Sequence, residues 1–344
     1  RSSQFEVVYK PKSTKDELLS FVGEIDGWII RSGTKIDKEL LGEAKKLQII
    51  GRAGVGTDNI DIETATKKGI VVMNVPDGNT ISAAEHTLAM ILSLSRNIYA
   101  GHAGLLKGEW NRSLLVGNEL RNKTLGVVGL GKIGREVIKR AQGYDMLIKG
   151  YDPYVNQEMF NSEKIKVVDL EELTAESDFI SVHVPLTDNT RDLFDAKSLA
   201  NMKPTARIIN VARGGIINED DLANALNNGV IAGAALDVFV SEPLGEDHVL
   251  VAAKNILLTP HLGASTHEAK EGVSLGICEQ VRDFLIDEKL SNPINMPISD
   301  MSKLKVLAPF LDLAEILGIK QGTVAEHLQF AESLIMSSWV NQSK

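Results

Sequence analysis

Short apolar runs, often β-branched and bounded by Gly, Pro or Asp, recur along this chain and alternate with segments of helical periodicity. Strands that read as continuous apolar runs are buried on both faces, and strand, helix, strand repeats of this kind build parallel α/β sheets. Two such series are visible. The first predicts strands near Phe5–Tyr9, Trp28–Ile30, Gln48–Gly51 and Ile70–Asn74, with helices over 15–24, 37–46 and 61–68. The second opens at Thr124 and predicts strands over 124–129, 146–151, 178–182, 207–211, 231–237 and 255–259, closing on a helix over 268–287. Between them, Ile81–Asn97 sets Ala84, Leu88, Ile91, Leu92 and Ser95 at three- and four-residue steps, which predicts a long helix with one packed face. Ser291–Pro297 reads as a proline-rich loop, and the segment 301–344, with no strand series, is expected to return to the first domain or dock as a helix. A chain of 344 residues holds about two such domains.

The rest of the composition narrows the class of function. A net charge of −9 argues against a main role in holding nucleic acid or an acidic membrane surface, both of which need clustered Lys and Arg. The single cysteine, Cys278, cannot form an internal disulfide, and no Cys/His cluster has metal spacing, so a metal-free site in the reducing cytoplasm is expected. No apolar run approaches the roughly 20 residues of a membrane span.

Leu125–Gly134 reads as a buried strand running into a glycine-rich turn and then a helix. Gly129, Gly131 and Gly134 stand at the G-x-G-x-x-G positions, with Lys132 and Ile133 opening the helix. The first glycine permits the tight turn, the second lets backbone approach a pyrophosphate, and the third allows close packing of helix on strand. The phosphates of a dinucleotide would lie at the positive helix N-terminus. Asp152 ends the next strand, where a carboxylate accepts hydrogen bonds from ribose hydroxyls and repels a 2′-phosphate, so NAD is favoured over NADP.

Hydride transfer to a 2-oxo acid needs a carboxylate anchor, an acid for the developing alkoxide and a group that holds that acid in the correct charge state. Arg213, in Asn210–Gly215, stands at the carboxyl end of a strand and can grip a carboxylate through two hydrogen bonds. His261 follows the strand ending at Pro260, and imidazole gives and takes a proton near neutrality. Glu242 lies just past the strand that contains Asp237, and a carboxylate bonded to an imidazole fixes its orientation. His183, also at a strand end, is the rival to His261; His86, His102, His248, His267 and His327 are assigned to helices or loops.

Together these residues resemble the D-2-hydroxyacid dehydrogenase family, whose catalytic Arg, Glu and His match Arg213, Glu242 and His261 in order and setting, over roughly residues 5 to 300. The blocks Gly51–Asp61, Asn210–Ile217, Ala234–Phe239 and Pro260–Thr266 carry the resemblance. It implies two Rossmann-like or flavodoxin-like parallel-sheet domains, with a cofactor domain over 98–287 inserted into a substrate domain made of 1–97 and 288–344. It further implies that Val75, Val184, Pro185, Val211, Asp237, Gly263 and Ala264 border the NAD site and that Arg52, Gly54 and Arg112 contact substrate. Gly51–Gly56 and Asp77–Glu85 are most similar to members acting on 3-phosphoglycerate at the start of serine biosynthesis. The three catalytic residues do not choose the substrate, so glycerate, lactate or glyoxylate stays open as an alternative, as does an NAD-sensing co-regulator without turnover. A homodimer or homotetramer is implied, paired through Leu105–Asn122. Tyr144-Asp145 departs from the family's aromatic-glycine helix ending. The tail from Pro309 is similar to a linker towards regulatory domains but ends at Lys344, so feedback by serine is not expected.

Overall fold

A computed structural model describes residues 5–158, 160 and 164–296. The chain divides into two units, one running to Gly78 and resuming at Glu271, the other spanning Asn79–Lys270. The second is therefore an insertion in the first, with boundaries at 78/79 and 270/271 rather than the expected 97/98 and 287/288. Among the described residues no helix is long and apolar enough to cross a membrane.

The first unit holds a parallel sheet of β1 (Gly27–Ile30), β2 (Ile49–Arg52) and β3 (Val71–Asn74), in that order. Helix α1 (Lys15–Phe21) precedes β1, and α2 (Lys38–Glu43) and α3 (Ile62–Lys67) connect the strands. Each helix starts where a side chain satisfies a first-turn amide: Thr14 in a reciprocal capping box with Glu17, Asp37 on Leu40 and Asp61 on Thr64. Leu18, Leu40, Leu41 and Ala65 pack with Trp28, Ile30, Ile50 and Val72 in one core. A second core joins Ile49, Val71 and Met73 to Val273, Ile277, Val281 and Phe284 of the helix His267–Asp287, numbered α10 below. That helix comes close: a β-carbon at Gly51 would stand 2.6 Å from Val281 Cγ2 and 2.7 Å from Ile277 Cγ1. The expected strand Phe5–Tyr9 does not form. Val7 and Tyr9 are both 85% exposed, and the segment joins no sheet among the described residues, so β propensity alone did not make a strand there.

The second unit begins with α4 (Thr80–Ser95) and α5 (Ile98–Leu106), separated at Asn97 by a left-handed residue with φ 54°. Strands β4 (Thr124–Val128), β5 (Leu147–Tyr151), β6 (Ile165–Val167), β7 (Phe179–Val182), β8 (Arg207–Asn210), β9 (Gly233–Leu236) and β10 (Ile256–Leu258) form one parallel sheet. Its order is β10-β9-β8-β7-β4-β5-β6. Helices α6 (Lys132–Gln142), α7 (Leu170–Glu176), α8 (Ala196–Asn201) and α9 (Glu219–Asn227) lie between the strands in sequence, and α10 closes the series. β6 was not foreseen: three residues long, with only Ile165 fully buried, it leaves too short a pattern to read. The sheet builds outward from β4 through β5 to β6, then returns to place β7 on the other side of β4. Open α/β sheets bind ligands beyond the carboxyl ends of the strands at such a reversal.

Both shifted boundaries have one cause. Ala84, Leu88, Ile91 and Leu94 of α4 share a core with Leu125, Val127, Val137, Ile138 and Ala141, which assigns α4 to the second unit, whereas α10 buries its stripe against β2 and β3. Helical periodicity reveals a packed face but not the element that covers it. In the first unit the returning chain is fastened by Asn295, whose side chain accepts from Val72 N at 2.8 Å and donates to Ile70 O at 2.8 Å and Thr66 Oγ1 at 3.1 Å. Asn295→Ala is expected to lower stability by about 1–3 kcal/mol, because three polar groups lose their partner at once. Urea denaturation measures it, and an unchanged midpoint would contradict this reading.

Candidate active site

Each glycine of the turn after β4 stands in a different steric environment. Gly129 has φ +96°, and a β-carbon there would lie 2.6 Å from the His183 carbonyl oxygen. At Gly134 a β-carbon would overlap the carbonyl oxygen of Gly129, so only glycine lets α6 lie this close to the turn. Gly131 is the helix N-cap with no side-chain cap, and a β-carbon there meets no protein atom within 4 Å. That open space before the first turn of α6, which starts with Lys132 and Ile133, fits a pyrophosphate approaching backbone amides. Asp152, immediately after β5, accepts from Leu130 N and Tyr154 N, both at 3.0 Å. Its carboxylate thus ties the glycine turn to the end of the second strand, where a ribose would lie, and a carboxylate keeps further lone pairs for hydroxyl donors.

The expected catalytic residues come from three neighbouring strands. Arg213, Glu242 and His261 follow β8, β9 and β10, which adjoin one another in the sheet, so residues distant in sequence share its carboxyl edge. His261 Nδ1 lies 2.8 Å from Glu242 Oε2, and Glu242 Oε1 accepts from Phe239 N at 3.1 Å. The carboxylate is therefore held by the backbone while it orients the imidazole. Asn210 braces the Arg213 turn, donating to Arg213 O at 2.8 Å and accepting from Ala212 N at 2.9 Å. A β-carbon at Gly214 would overlap Phe239 backbone atoms, so the Arg213 turn lies directly on the segment leading to Glu242.

Asp237 has no solvent exposure. Burial pushes its carboxyl up, but donors on both oxygens outweigh that effect and hold it below the ordinary aspartate range. Thr259 Oγ1 at 2.6 Å, Leu262 N at 2.7 Å and His86 Nε2 at 3.2 Å reach Oδ1, while Gly263 N at 2.8 Å reaches Oδ2. The anion is thus bound to the loop on which His261, Gly263 and Ala264 stand. Gly263 also packs under Val211, its hypothetical β-carbon lying 2.8 Å from Val211 Cγ1. The sequence places His86 only among the histidines of helices or loops. It does lie in α4, but it bonds Asp237, and the only trace in the sequence is its four-residue spacing from Ser82.

The rival histidine, His183, is of another kind. Its Nε2 meets Ser181 Oγ at 2.5 Å, and burial pushes the imidazole down to about 3, so it stays neutral near pH 7 and is a poor proton carrier there. Val184 and Pro185 continue this chain past Gly129, and Pro185 O accepts from Thr190 Oγ1 at 2.6 Å. Arg112 begins an exposed turn at 112–115 of the second unit. Arg52, Gly54 and Val75 belong to the first unit. There Gly54 adopts φ +144° beneath the Arg52 guanidinium, whose Nη1 donates to Ala53 O at 2.9 Å, and Val75 N donates to Gly54 O at 3.1 Å.

The glycine turn yields a paired test. Gly134→Ala should displace α6 and weaken NADH binding at least about tenfold, or 1.4 kcal/mol, with a lowered unfolding midpoint. Gly131→Ala should weaken NADH while leaving that midpoint unchanged, because the added methyl meets only the ligand. Fluorescence titration and thermal melts report both, and equal melting losses in the two variants would contradict the assignment.

Comparison with known proteins agrees with this geometry. Residues 88–263, just over half of the chain, match the family described as D-isomer specific 2-hydroxyacid dehydrogenase, NAD binding domain. The chain is 46% identical to a D-3-phosphoglycerate dehydrogenase of Synechocystis sp. over 320 residues, 93% of this chain and 58% of that protein. A D-3-phosphoglycerate dehydrogenase of Methanocaldococcus jannaschii is 47% identical over 306 residues, 89% of this chain and 58% of its own length. This chain therefore spans about three fifths of the curated relatives it matches. A crystal structure of a protein from Thermus thermophilus superposes with a TM-score of 0.76 at 34% identity, covering 84% of this chain and 91% of that one. With the glycine turn, the paired His261 and Glu242 and these matches in agreement, the chain belongs to the D-isomer specific 2-hydroxyacid dehydrogenase family.

Proposed function

We propose that this protein catalyses the NAD-dependent oxidation of 3-phospho-D-glycerate to 3-phosphohydroxypyruvate, the opening step of phosphorylated serine biosynthesis. The observation that carries the chemistry is the 2.8 Å pair of His261 Nδ1 and Glu242 Oε2 on the sheet edge that also bears Arg213. The choice of substrate draws support from the names of the two relatives above. With Nδ1–H donated to Glu242, the lone pair of His261 Nε2 is the one that takes the proton of the substrate hydroxyl. Arg213 pairs with the substrate carboxylate and so orients C2. From the first unit, Arg52 and the amides near Gly54 are the residues proposed for the substrate's anionic groups, and Arg112 is a further candidate. NAD, when bound, supplies the hydride acceptor; the Gly129–Gly134 turn and Asp152 would hold it. Val75, Val184, Pro185, Val211, Asp237, Gly263 and Ala264 are the further residues proposed to border it.

The same reading extends to assembly and place. α5 buries none of its residues, and Leu106, Trp110, Leu114 and Val116 are each more than 75% exposed. Four large apolar side chains this exposed within eleven residues call for a cover, and a second copy of this chain, giving a homodimer or homotetramer, supplies one. The free Cys278 fits the reducing cytoplasm.

Purified protein followed by NADH oxidation should strongly prefer 3-phosphohydroxypyruvate over pyruvate, hydroxypyruvate and glyoxylate. Preference for an unphosphorylated acid would overturn the substrate, and NADH binding without turnover would favour a sensor. His261→Ala should cost about 10²- to 10⁴-fold in turnover while NADH still binds; native turnover in that variant would remove the assignment. The double variant Trp110→Asp, Leu114→Asp should sediment at the mass of one chain, and an unchanged mass would exclude this surface from the interface.

A further inference from the structure

The hydrogen bonds around Asp237 define the tautomer of a histidine that the reaction does not use. The Thr259 hydroxyl spends its hydrogen on Asp237 Oδ1 at 2.6 Å, and an ionised carboxylate can only accept. His86 Nε2 lies 3.2 Å from both Asp237 Oδ1 and Thr259 Oγ1. With each of those oxygens acting as an acceptor towards it, Nε2 must carry the proton and donate. One turn earlier on α4, Ser82 Oγ lies 2.7 Å from Thr266 Oγ1, and Thr266 Oγ1 accepts from Ala269 N at 3.1 Å. Ser82 and His86, spaced i and i+4, thus share one face of α4 and fasten both ends of the segment 259–266.

Within that segment His261 adopts φ +52°, a left-handed conformation that a side-chain-bearing residue keeps only where its surroundings impose it. Its N–H donates to Asp237 O at 2.9 Å, while Leu262 N and Gly263 N are held by the Asp237 carboxylate. The same aspartate therefore grips the backbone on both sides of the imidazole. Three of the four donors to that carboxylate come from the loop itself, and, among the described residues, only His86 comes from another element. It sets where the Asp237 and loop assembly sits relative to α4.

We propose that His86 is a positioning residue for His261: its Nε2–H, donated to Asp237, holds the 259–263 loop at the setting in which the imidazole meets both Glu242 and substrate. This rests on the catalytic assignment of His261 made above. His86→Leu keeps helix propensity and bulk but removes the donor, whereas His86→Gln can present an amide N–H in its place. In His86→Leu, kcat should fall about 10- to 100-fold, the loss expected of an ångström-scale misplacement, a larger change than that in the Kd for NADH. His86→Gln should return kcat to within about fivefold. Added to His261→Ala, His86→Leu should cost nothing further, because its effect passes through that imidazole. Native kcat in His86→Leu, a Gln variant below about a tenth of native, or the full loss repeated on top of His261→Ala would each overturn the proposal. If His86→Leu does not fold, His86→Asn, whose amide is too short to reach Asp237, replaces it. Hydrogen exchange at the Leu262 and Gly263 amides tests the clamp without substrate: it should quicken in His86→Leu and recover in His86→Gln. A native protein that turns over no hydroxy acid would end the proposed activity, whereas unchanged exchange would end the role of His86.

Discussion

A buried carboxylate at the end of an apolar strand is the constraint on which the carboxyl edge of the larger sheet depends. Desolvating an unpaired anion costs several kcal/mol, so Asp237 persists only because each of its oxygens has a donor. Satisfying the charge requires the chain after β10 to turn back over it, and that turn is the loop bearing His261. The electrostatic requirement and the setting of the His261 loop are thus met by the same hydrogen bonds. Removing the charge would release the loop rather than simply subtract one interaction.

The sheet supplies the second half of the arrangement. Parallel strands place every βα turn on one edge, and the order β10-β9-β8 sets side by side the turns that carry His261, Glu242 and Arg213. After β8 and β9 the close approach at Gly214 leaves no room for a side chain, so the Arg213 turn and the segment before Glu242 are locked at contact distance. At the reversal between β4 and β7, Gly129 and Gly134 are fixed by steric overlap, and Gly131 faces open space. Close packing at two glycines keeps the third accessible to a ligand.

Much of this was legible in advance because it rests on local chemistry. The glycine spacing from Gly129 to Gly134 encodes one turn with one steric solution, and Asp152 was identified from its distance to that turn. The strand-end positions of Arg213 and His261 could be read because apolar runs mark parallel strands and the polar residues that follow them lie on the ligand edge. Phe5–Tyr9 shows the converse: the run has β propensity, but a strand needs a neighbour, and propensity names none. His86 stayed hidden because a histidine on a helix acquires meaning only from what faces it, in this case a residue 151 positions away.

By itself the sequence determined the alternation of strands and helices, the glycine-rich turn and the strand-end positions of Arg213 and His261, all through short-range patterns of burial, backbone freedom and charge. The tertiary structure alone decided that α4 belongs with the second sheet and α10 largely with the first, that His183 is half-buried and kept neutral by desolvation while His261 is exposed and paired with Glu242, and that Asp237 is bound by His86. The reason is physical. A periodic stripe or a titratable side chain states what it requires, a cover or a partner, and only the folded chain determines which group meets that requirement.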